Sequence, residues 1–156
     1  MSVFCDLEIV FQLILAVILG GLIGLEREYK GREAGLRTYS LVSLGSCLFA
    51  LIGFYGFQGL IEHPGVMLDP TRVIQAIAIG IGFIGGGLII YRRFKVEGLT
   101  TAAALWVAAA VGVAIGARFY FSAIFVTFLT ILILAGFRLL EEKFLRTKGS
   151  KGAHER

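Results

Sequence analysis

Residues 26–38 read EREYKGREAGLRT, which places seven charged residues in thirteen positions between two long apolar segments. A second charged stretch, residues 92–101, reads RRFKVEGLTT. Both stretches close on a Gly-Leu-x-Thr motif, and each leads directly into the next apolar segment. We name them the first and second charged stretches, and we predict that the functional surface of the protein lies there.

The composition indicates a membrane protein. The 156 residues are 57% hydrophobic and only 17% charged, and the mean hydropathy is +0.84. A soluble domain carries about 25% charged residues. We therefore predict an all-α, polytopic protein in a lipid bilayer. The net charge of +4 is expected for a membrane protein, because cytoplasmic loops are rich in lysine and arginine. The sequence has no basic face with interleaved aromatic residues outside the loops, so we do not predict nucleic-acid binding.

Five uncharged segments predict five transmembrane helices. They cover residues 9–25, 39–61, 73–91, 99–117 and 119–137. Only Arg118 separates the last two, but one helix through both would be roughly 58 Å long, about twice the hydrocarbon thickness. We therefore predict a tight turn within residues 112–118, with Gly116 as the C-cap of the fourth helix. The boundary between these helices stays open.

The distribution of lysine and arginine predicts the orientation. Thirteen of the fifteen lie in the first and third connections and in the C-terminal segment, whereas the other side holds only Arg72 and Arg118. The positive-inside rule then places the N-terminus outside and the C-terminus in the cytoplasm, with both charged stretches on the cytoplasmic side. We divide the chain into a transmembrane domain, residues 1–137, and a short basic tail, residues 138–156, that is either a solvated stop-transfer segment or a lipid-contacting helix.

The two charged stretches have similar surroundings. The segments GLIGLEREYKGREAGLRTYSLVSLG and GGLIIYRRFKVEGLTTAAALWVAAAVG both run from a glycine-rich helix end through a charged loop to Gly-Leu-x-Thr and a helix of small residues. This pattern is typical of a parallel repeat of helical hairpins, as found in transporters. A chance likeness between membrane hairpins is the alternative.

Glycines four residues apart recur in three of the predicted spans. The pairs are Gly20 and Gly24, Gly82 and Gly86, and Gly112 and Gly116. In lipid, small residues allow close helix packing, either within the chain or at a dimer face. The third span, IQAIAIGIGFIGGGLII, is the richest in glycine, and its alternative interpretation is a broken or flexible helix that exposes backbone carbonyls to an ion.

No acidic residue, lysine or histidine lies at the predicted centre of any span, which argues against a transporter with a charged midplane site. The carboxylates lie at span ends and in loops, at Glu26, Glu28, Glu33 and Glu97. They either pair with neighbouring arginines or bind hydrated Mg²⁺, which uses one or two carboxylates and keeps its waters. No catalytic set and no metal-ligand spacing is present in the sequence, so we predict no enzymatic activity and no required cofactor.

Three blocks of the chain resemble the membrane domain of the MgtC/SapB family of bacterial inner-membrane proteins, over roughly residues 9–137. The blocks are GGLIGLEREYKGREAGLRTYSLVSLGS, DPTRVIQAIAIGIGFIGGGLII and GLTTAAALWVAAAVGVAIGA. The resemblance implies signature positions at Gly20, Gly24, Glu26, Arg27, Gly35, Leu36, Arg37 and Thr38, at Arg72, Gln75, Gly80, Gly82, Phe83, Gly85 and Gly87, and at Gly98, Leu99, Thr100, Thr101, Ala102, Ala103, Trp106 and Gly116. Many family members also carry a soluble C-terminal domain, which a chain of this length is not expected to hold.

The resemblance also implies a role in growth at low Mg²⁺, survival of virulent members inside macrophages, and regulation of other membrane proteins, including the F-type ATP synthase. We therefore expect a non-enzymatic inner-membrane protein that binds other membrane proteins and forms a homo-oligomer, with a dimer favoured. The candidate interaction or ion-site residues are Glu26, Arg27, Glu28, Arg37, Thr38, Gln75, Glu97, Thr100 and Thr101. The alternative is a small dimeric transporter or channel for Mg²⁺ or another cation, with a path along the third span.

Overall fold

The structure, a computed structural model, describes residues 3–57, 69–92 and 95–149. Its elements are α1 (Val3–Tyr29), α2 (Leu36–Tyr55), α3 (Thr71–Leu88), β1 (Ile90–Arg92), β2 (Lys95–Glu97), α4 (Leu99–Gly116) and α5 (Tyr120–Gly149). The predicted all-helical architecture is confirmed. The antiparallel pair of β1 and β2 is a short addition that the sequence analysis did not predict.

Four helices, α1 to α4, are long and apolar enough to cross a membrane, and α5 contributes a shorter apolar segment, Tyr120–Gly136. The chain is therefore a multi-pass membrane protein. Helices α2 and α3 end before the predicted limits of residues 61 and 91, and residues 58–61 of the second predicted span lie outside the described residues. Helices α1 and α5 instead extend beyond their predicted spans, because a helix that leaves the bilayer continues while its backbone hydrogen bonds remain satisfied. Helix α1 continues through the first three residues of the first charged stretch and ends at Tyr29. Helix α5 continues through residues 138–149 of the predicted tail.

Successive helices run in alternating directions, which gives the bundle two ends. At the first, which we name the loop end, α1 and α3 finish and α2 and α4 begin. At the opposite end, Arg118 lies beside Glu8, and the ring of Phe11 lies 6.1 Å from that of Tyr120. Both charged stretches therefore belong to the same end of the bundle.

Helix α4 is the centre of the packing. Its apolar window is 56% buried, against 11% for that of α3, so α3 lies at the periphery. The core side chains around α4 include Ile23, Tyr39, Leu105 and Ile115. One buried polar contact joins α1 to α4, since the Gln12 side-chain amide donates to the Ile115 carbonyl at 2.9 Å. Large exposed hydrophobics on the outer faces suit contact with lipid.

Glycines bring α2 close to both α1 and α4. A Cβ added at Gly20 would lie 2.7 Å from the Tyr39 carbonyl oxygen, and one at Gly112 would collide with the Ser43 carbonyl. Gly24 and Gly116 make similarly close approaches to α2. The packing interpretation therefore holds for the glycine pairs of α1 and α4, because no larger residue fits at these crossings.

The glycines of α3 differ. A Cβ added at Gly80, Gly82, Gly86 or Gly87 would meet no atom within 4 Å among the described residues. Among the α3 glycines and the described residues, a neighbour is found only at Gly85, where an added Cβ would lie 3.4 Å from the Ala102 Cβ of α4. Packing by Gly82 and Gly86 is therefore not found among the described residues and stays a prediction for a second copy. Helix α3 is also continuous through every one of these glycines, so the broken helix is not found between residues 71 and 88.

The turn between α4 and α5 lies where it was predicted, but its cap was predicted wrongly. The left-handed residue is Arg118, with φ of 65°, and not Gly116. The amides of Arg118 and Phe119 donate to the carbonyls of Ile115 and Ala114, which is a Schellman motif. Gly116 is the last residue of α4, and its place against α2 requires a small residue.

The contacts of the Arg118 side chain offset part of the cost of this conformation. A non-glycine residue in the left-handed region costs roughly 1–2 kcal/mol. The guanidinium pairs with Glu8 at 2.8 Å and lies 5.1 Å from the centre of the Tyr55 ring. These contacts connect the turn to α1 and α2 and offset part of the backbone cost.

Helix α3 begins with a local cap. The Asp69 carboxylate accepts hydrogen bonds from the amide and the hydroxyl of Thr71, and Pro70 lies between them. These two hydrogen bonds hold the pKa of Asp69 below its ordinary value. The cap fixes the start of α3 at the opposite end of the bundle.

Candidate functional site at the loop end

The loop end contains a cavity of about 640 Å³ between the two charged stretches. Its lining from the first stretch is Glu26, Arg27, Lys30, Arg32 and Glu33. The second stretch supplies Val96, Glu97, Gly98, Leu99, Thr100 and Thr101, and α5 adds an apolar wall of Ile133 and Leu134. We name this space the loop-end cavity. The two stretches are thus neighbours in space.

Gly98 places the second stretch on the cavity wall. Its φ of 85° is left-handed, and a Cβ there would collide with the Leu88 carbonyl at the end of α3. Only glycine combines that backbone conformation with that close approach. The chain can therefore turn directly from β2 into α4, whose first residue is Leu99.

Thr101 links three segments of the chain. Its hydroxyl accepts a hydrogen bond from Arg27 Nη2 at 3.3 Å and donates one to Glu33 Oε2 at 3.1 Å. Its carbonyl accepts one from the Tyr39 hydroxyl at 3.0 Å. A threonine hydroxyl can serve as donor and acceptor at once, which is what this position requires. The end of α1, its loop and the start of α2 are therefore joined to the start of α4.

Two adjacent, largely buried side chains in the cavity wall form an ion pair but keep polar atoms that make no hydrogen bond. The Arg27 side chain is 4% exposed and that of Glu26 is 11% exposed, with 3.6 Å between Arg27 Nη1 and Glu26 Oε2. Neither Glu26 carboxylate oxygen nor Arg27 Nε has a hydrogen-bond partner in the part of the chain that the structure describes. Buried polar atoms are normally hydrogen-bonded, so this pair is an exception.

The cavity wall carries charges of both signs in equal number. The carboxylates are Glu26, Glu33 and Glu97, and the cations are Arg27, Lys30 and Arg32. The hydrogen bond from its own backbone amide is the largest effect that holds the pKa of Glu33 below its ordinary value, and Thr101, Arg32 and Arg27 act in the same direction. No group of three His, Cys, Asp or Glu side chains is arranged for a metal ion among the described residues.

The nine candidate residues separate into two sets. Those that line the cavity are Glu26, Arg27, Glu97, Thr100 and Thr101, and those that do not are Glu28, Arg37, Thr38 and Gln75. Glu28 instead accepts the Leu36 amide at 2.8 Å and so caps α2. Gln75 is exposed on α3, away from the loop end, and Arg37 is exposed in the first turn of α2.

Sequence reasoning missed Tyr39 and the two α5 residues. Tyr39 is the first residue of a predicted span, where a polar hydroxyl in an apolar segment is a weak signal of a buried hydrogen bond. Ile133 and Leu134 are ordinary apolar residues of a predicted helix. No pattern distinguishes them, because their place depends on how α5 packs.

Comparison with known protein families matches residues 13–143 to the MgtC family. The chain belongs to the MgtC family. The predicted resemblance is thereby confirmed, on a match that includes both charged stretches and all three glycine pairs.

Several relatives support this assignment. The chain is 44% identical over 133 residues to the "Putative magnesium transporter YhiD" of Escherichia coli K12, covering 85% of this chain and 62% of the relative. It is 40% identical over 139 residues to "Protein SrpB" of Synechococcus elongatus, covering 84% and 75%. It is 48% identical over 102 residues to "Protein MgtC" of Brucella abortus, covering 65% and 40%. No solved structure gives a significant match.

Proposed function

We propose that the protein is a non-enzymatic inner-membrane protein that acts in magnesium or membrane-energy homeostasis by binding other membrane proteins. The observation that carries this proposal is the loop-end cavity, where two charged stretches form one surface of mixed charge. The magnesium link is supported by the name of the YhiD relative. Because the match covers 62% of YhiD, the activity of the whole relative is carried over only as part of this proposal.

In this proposal five helices cross the inner membrane, the N-terminus lies outside and the loop end faces the cytoplasm. The lysine and arginine distribution supports the orientation. The two Gly-Leu-x-Thr motifs support the parallel repeat, because α2 and α4 each begin at the leucine that follows the glycine. The two glycines differ in backbone conformation, extended at Gly35 and left-handed at Gly98, so the likeness lies in the helix starts and not in the caps.

The exposed part of the loop end is the proposed contact surface. Arg32, Glu97 and Thr100 are exposed at the cavity, and Arg37 is exposed in the first turn of α2, at the same end of the bundle. Glu26 and Arg27 are largely buried, so in this proposal they stabilise the exposed residues of the surface and do not contact the partner. The family resemblance proposes the F-type ATP synthase as a partner. Magnesium enters this proposal as the regulated ion and not as a resident cofactor.

Co-purification from native membranes tests the contact. Tagged wild-type protein should retain the F-type ATP synthase, and the Arg32→Glu and Arg37→Glu variants should lose most of it, because charge reversal at an interface repels the partner. Arg72→Glu is the matched control, since Arg72 is exposed at the opposite end. Retention of the synthase by both loop-end variants at the wild-type level would contradict the proposed surface.

A second candidate function is a small dimeric cation transporter. The observation that favours it is the exposed glycine surface of α3, which lacks neighbours within the described chain and is free to face a second copy. Ion flux into liposomes that contain the purified protein tests it. Flux that Gly82→Leu or Gly86→Leu abolishes would support the transporter, and no flux from wild-type protein would exclude it.

A further inference from the structure

Helices α2 and α3 touch near one end and separate along the rest of their length. Near the opposite end of the bundle, a Cβ added at Gly53 of α2 would lie 2.8 Å from Val73 Cγ2 of α3. Further along, a Cβ added at Gly45 of α2 or at Gly80 of α3 would meet no described atom within 4 Å. A space of about 850 Å³ lies between the two helices there, and we name it the α2–α3 groove.

The wall of the α2–α3 groove is almost entirely apolar. Its large side chains include Phe49 from α2 and Ile77 and Ile84 from α3, and its polar members are Ser46 and Arg72. Both helices are long and apolar enough to cross a membrane, so the groove faces hydrocarbon and not water. Its occupant therefore comes from the bilayer, as either a lipid chain or an apolar helix.

Arg72 places a cation at one end of the groove. It is the second residue of α3, and its side chain is 84% exposed. Its Nε lies 3.9 Å from Asp69 Oδ2, which is too long for a hydrogen bond, and Asp69 Oδ1 accepts the two hydrogen bonds of the Thr71 cap. The guanidinium can therefore donate to a phosphate in the bidentate geometry that arginine favours.

The length of the groove matches the depth of one leaflet. Arg72 and Ile84 both line it from α3, and they lie roughly 18 Å apart along the helix axis at about 1.5 Å per residue. Half of a hydrocarbon core of about 30 Å is about 15 Å. A phospholipid whose phosphate lies at Arg72 can thus extend an acyl chain along the groove to the middle of the bilayer.

The shape of the groove favours a lipid chain over a second copy of the protein. An α-helix with its side chains is about 10 Å wide. Because the two walls meet at Gly53 and Val73, a helix cannot follow the groove to Arg72. An acyl chain is thinner and bends, so it can occupy the narrow end and the wide part together.

We propose that the α2–α3 groove binds one phospholipid from the leaflet at the opposite end of the bundle. The phosphate accepts hydrogen bonds from Arg72, and an acyl chain lies between α2 and α3. The apolar window of α3 is only 11% buried within the described chain, so the bound lipid supports this helix where it stands apart from α2. The site is separate from the loop-end cavity, and its test uses the purified protein without any protein partner.

The first experiment tests the phosphate contact. Delipidated monomer in detergent is titrated with phosphatidylglycerol or with diacylglycerol of the same acyl chains, and native mass spectrometry measures the bound fraction. We expect one saturable site that binds phosphatidylglycerol about tenfold more tightly, since only this lipid accepts charge-assisted hydrogen bonds. Arg72→Gln should remove most of that preference. Arg118→Gln is the control, because it removes the same charge at the same end of the bundle but outside the groove.

Two outcomes of this titration overturn the proposal. One is equal affinity of the wild-type protein for the two lipids. The other is an unchanged preference in Arg72→Gln.

A pair of leucine substitutions on α3 locates the acyl chain. Gly80→Leu places a side chain in the groove, whereas Gly82→Leu is the control, because Gly82 lies outside the groove lining. A Cβ at either position meets no described atom within 4 Å, so both variants should fold. Gly80→Leu should weaken phosphatidylglycerol binding by about tenfold, and Gly82→Leu should leave it unchanged. Equal affinities in the two variants overturn the assignment to this groove. If Gly80→Leu does not fold, Gly45→Leu fills the groove from the facing wall and decides in the same way.

Photocrosslinking identifies the occupant in native membranes. The probe is phosphatidylglycerol with a diazirine near the middle of one acyl chain, and mass spectrometry of the peptides maps the label. We expect label concentrated in residues 41–49 and 76–84, and lost when excess unlabelled lipid competes. Label spread evenly over the outer faces of the other helices would mean bulk lipid contact only, and would overturn the proposal. A groove that is labelled in detergent but not in membranes would mean that a protein, such as a second copy, covers it there, and would also overturn it.

Discussion

Two sets of glycines in this protein share their spacing and differ in their surroundings. In α1 and α4, glycines four residues apart lie against the backbone of α2, and a Cβ would strike a carbonyl or a neighbouring main chain. In α3, Gly82 and Gly86 are also four residues apart, yet a Cβ there would meet nothing within the described chain. The spacing therefore predicts that a helix can be approached closely, but not which helix approaches it.

A glycine-to-alanine substitution in each set of glycines tests whether their surroundings differ. Gly112→Ala should lower the free energy of unfolding by about 3 kcal/mol, because the new methyl overlaps the Ser43 carbonyl, a backbone atom with little freedom to move. Gly82→Ala should be neutral or stabilising by about 0.5–1 kcal/mol, since alanine favours the helix.

Unfolding of the two purified variants in one detergent, followed by helical circular dichroism, measures this difference. Equal losses of stability in both variants would mean that α3 is packed as tightly as α4, and the comparison would fail.

Two left-handed glycines, Gly98 and Gly31, allow the cost of the backbone conformation to be separated from the cost of a close contact. Gly98→Ala should destabilise the protein by about 3–4 kcal/mol, because it combines a left-handed backbone with a collision against the Leu88 carbonyl. Gly31→Ala is the control, because Gly31 is also left-handed, with φ of 63°, but a Cβ there meets no described atom within 4 Å. It should lose only about 1 kcal/mol. Equal losses in the same unfolding assay would show that the contact with Leu88 contributes nothing.

A smaller effect is expected where a non-glycine residue occupies the left-handed position. Arg118→Gly removes a backbone cost of about 1 kcal/mol and also removes a partly exposed ion pair with Glu8 that contributes up to about 1 kcal/mol. The net change in unfolding free energy should therefore be within about 0.5 kcal/mol. A loss above about 2 kcal/mol would mean that the guanidinium contacts, and not the backbone pattern, determine this turn.

The smallest change in stability is expected for large residues on α3. Gly82→Leu and Gly86→Leu should leave the unfolding free energy of the monomer within about 0.5 kcal/mol, because the surroundings within the chain are open. The same variants should abolish the proposed homodimer, since a close helix crossing requires small residues. Cross-linking in native membranes measures the dimer. A dimer that persists in both variants would remove α3 as its interface.

Much of the fold is readable from the sequence because hydrophobic length and glycine spacing are local signals. The five helices follow from the uncharged segments, and the close packing of α1 follows from Gly20 and Gly24. The left-handed Arg118 was missed because a turn is usually assigned to the nearest glycine, whereas Gly116 is required for packing. The β-hairpin was missed because three-residue strands have no periodicity to detect.

The candidate site was only partly readable for a related reason. The two charged stretches were recognisable by composition, and their motifs included Thr101. The pairing of Arg27 with Thr101 depends on the crossing of α1 and α4, which no local pattern encodes. Glu26 and Glu28 have the same residue type and charge but lie on different faces of α1. Glu28 caps α2, and Glu26 lies in the cavity wall.

Our central proposal is that the surface formed by the two charged stretches lies on the cytoplasmic side of the membrane. Labelling of single cysteines with a membrane-impermeant maleimide tests it, in a background with Cys5→Ala and Cys47→Ala. In intact spheroplasts we expect Arg72→Cys to be labelled, and Arg32→Cys and Glu97→Cys to be labelled only after lysis. Labelling of either loop-end cysteine in intact spheroplasts, or protection of Arg72→Cys there, would contradict the account.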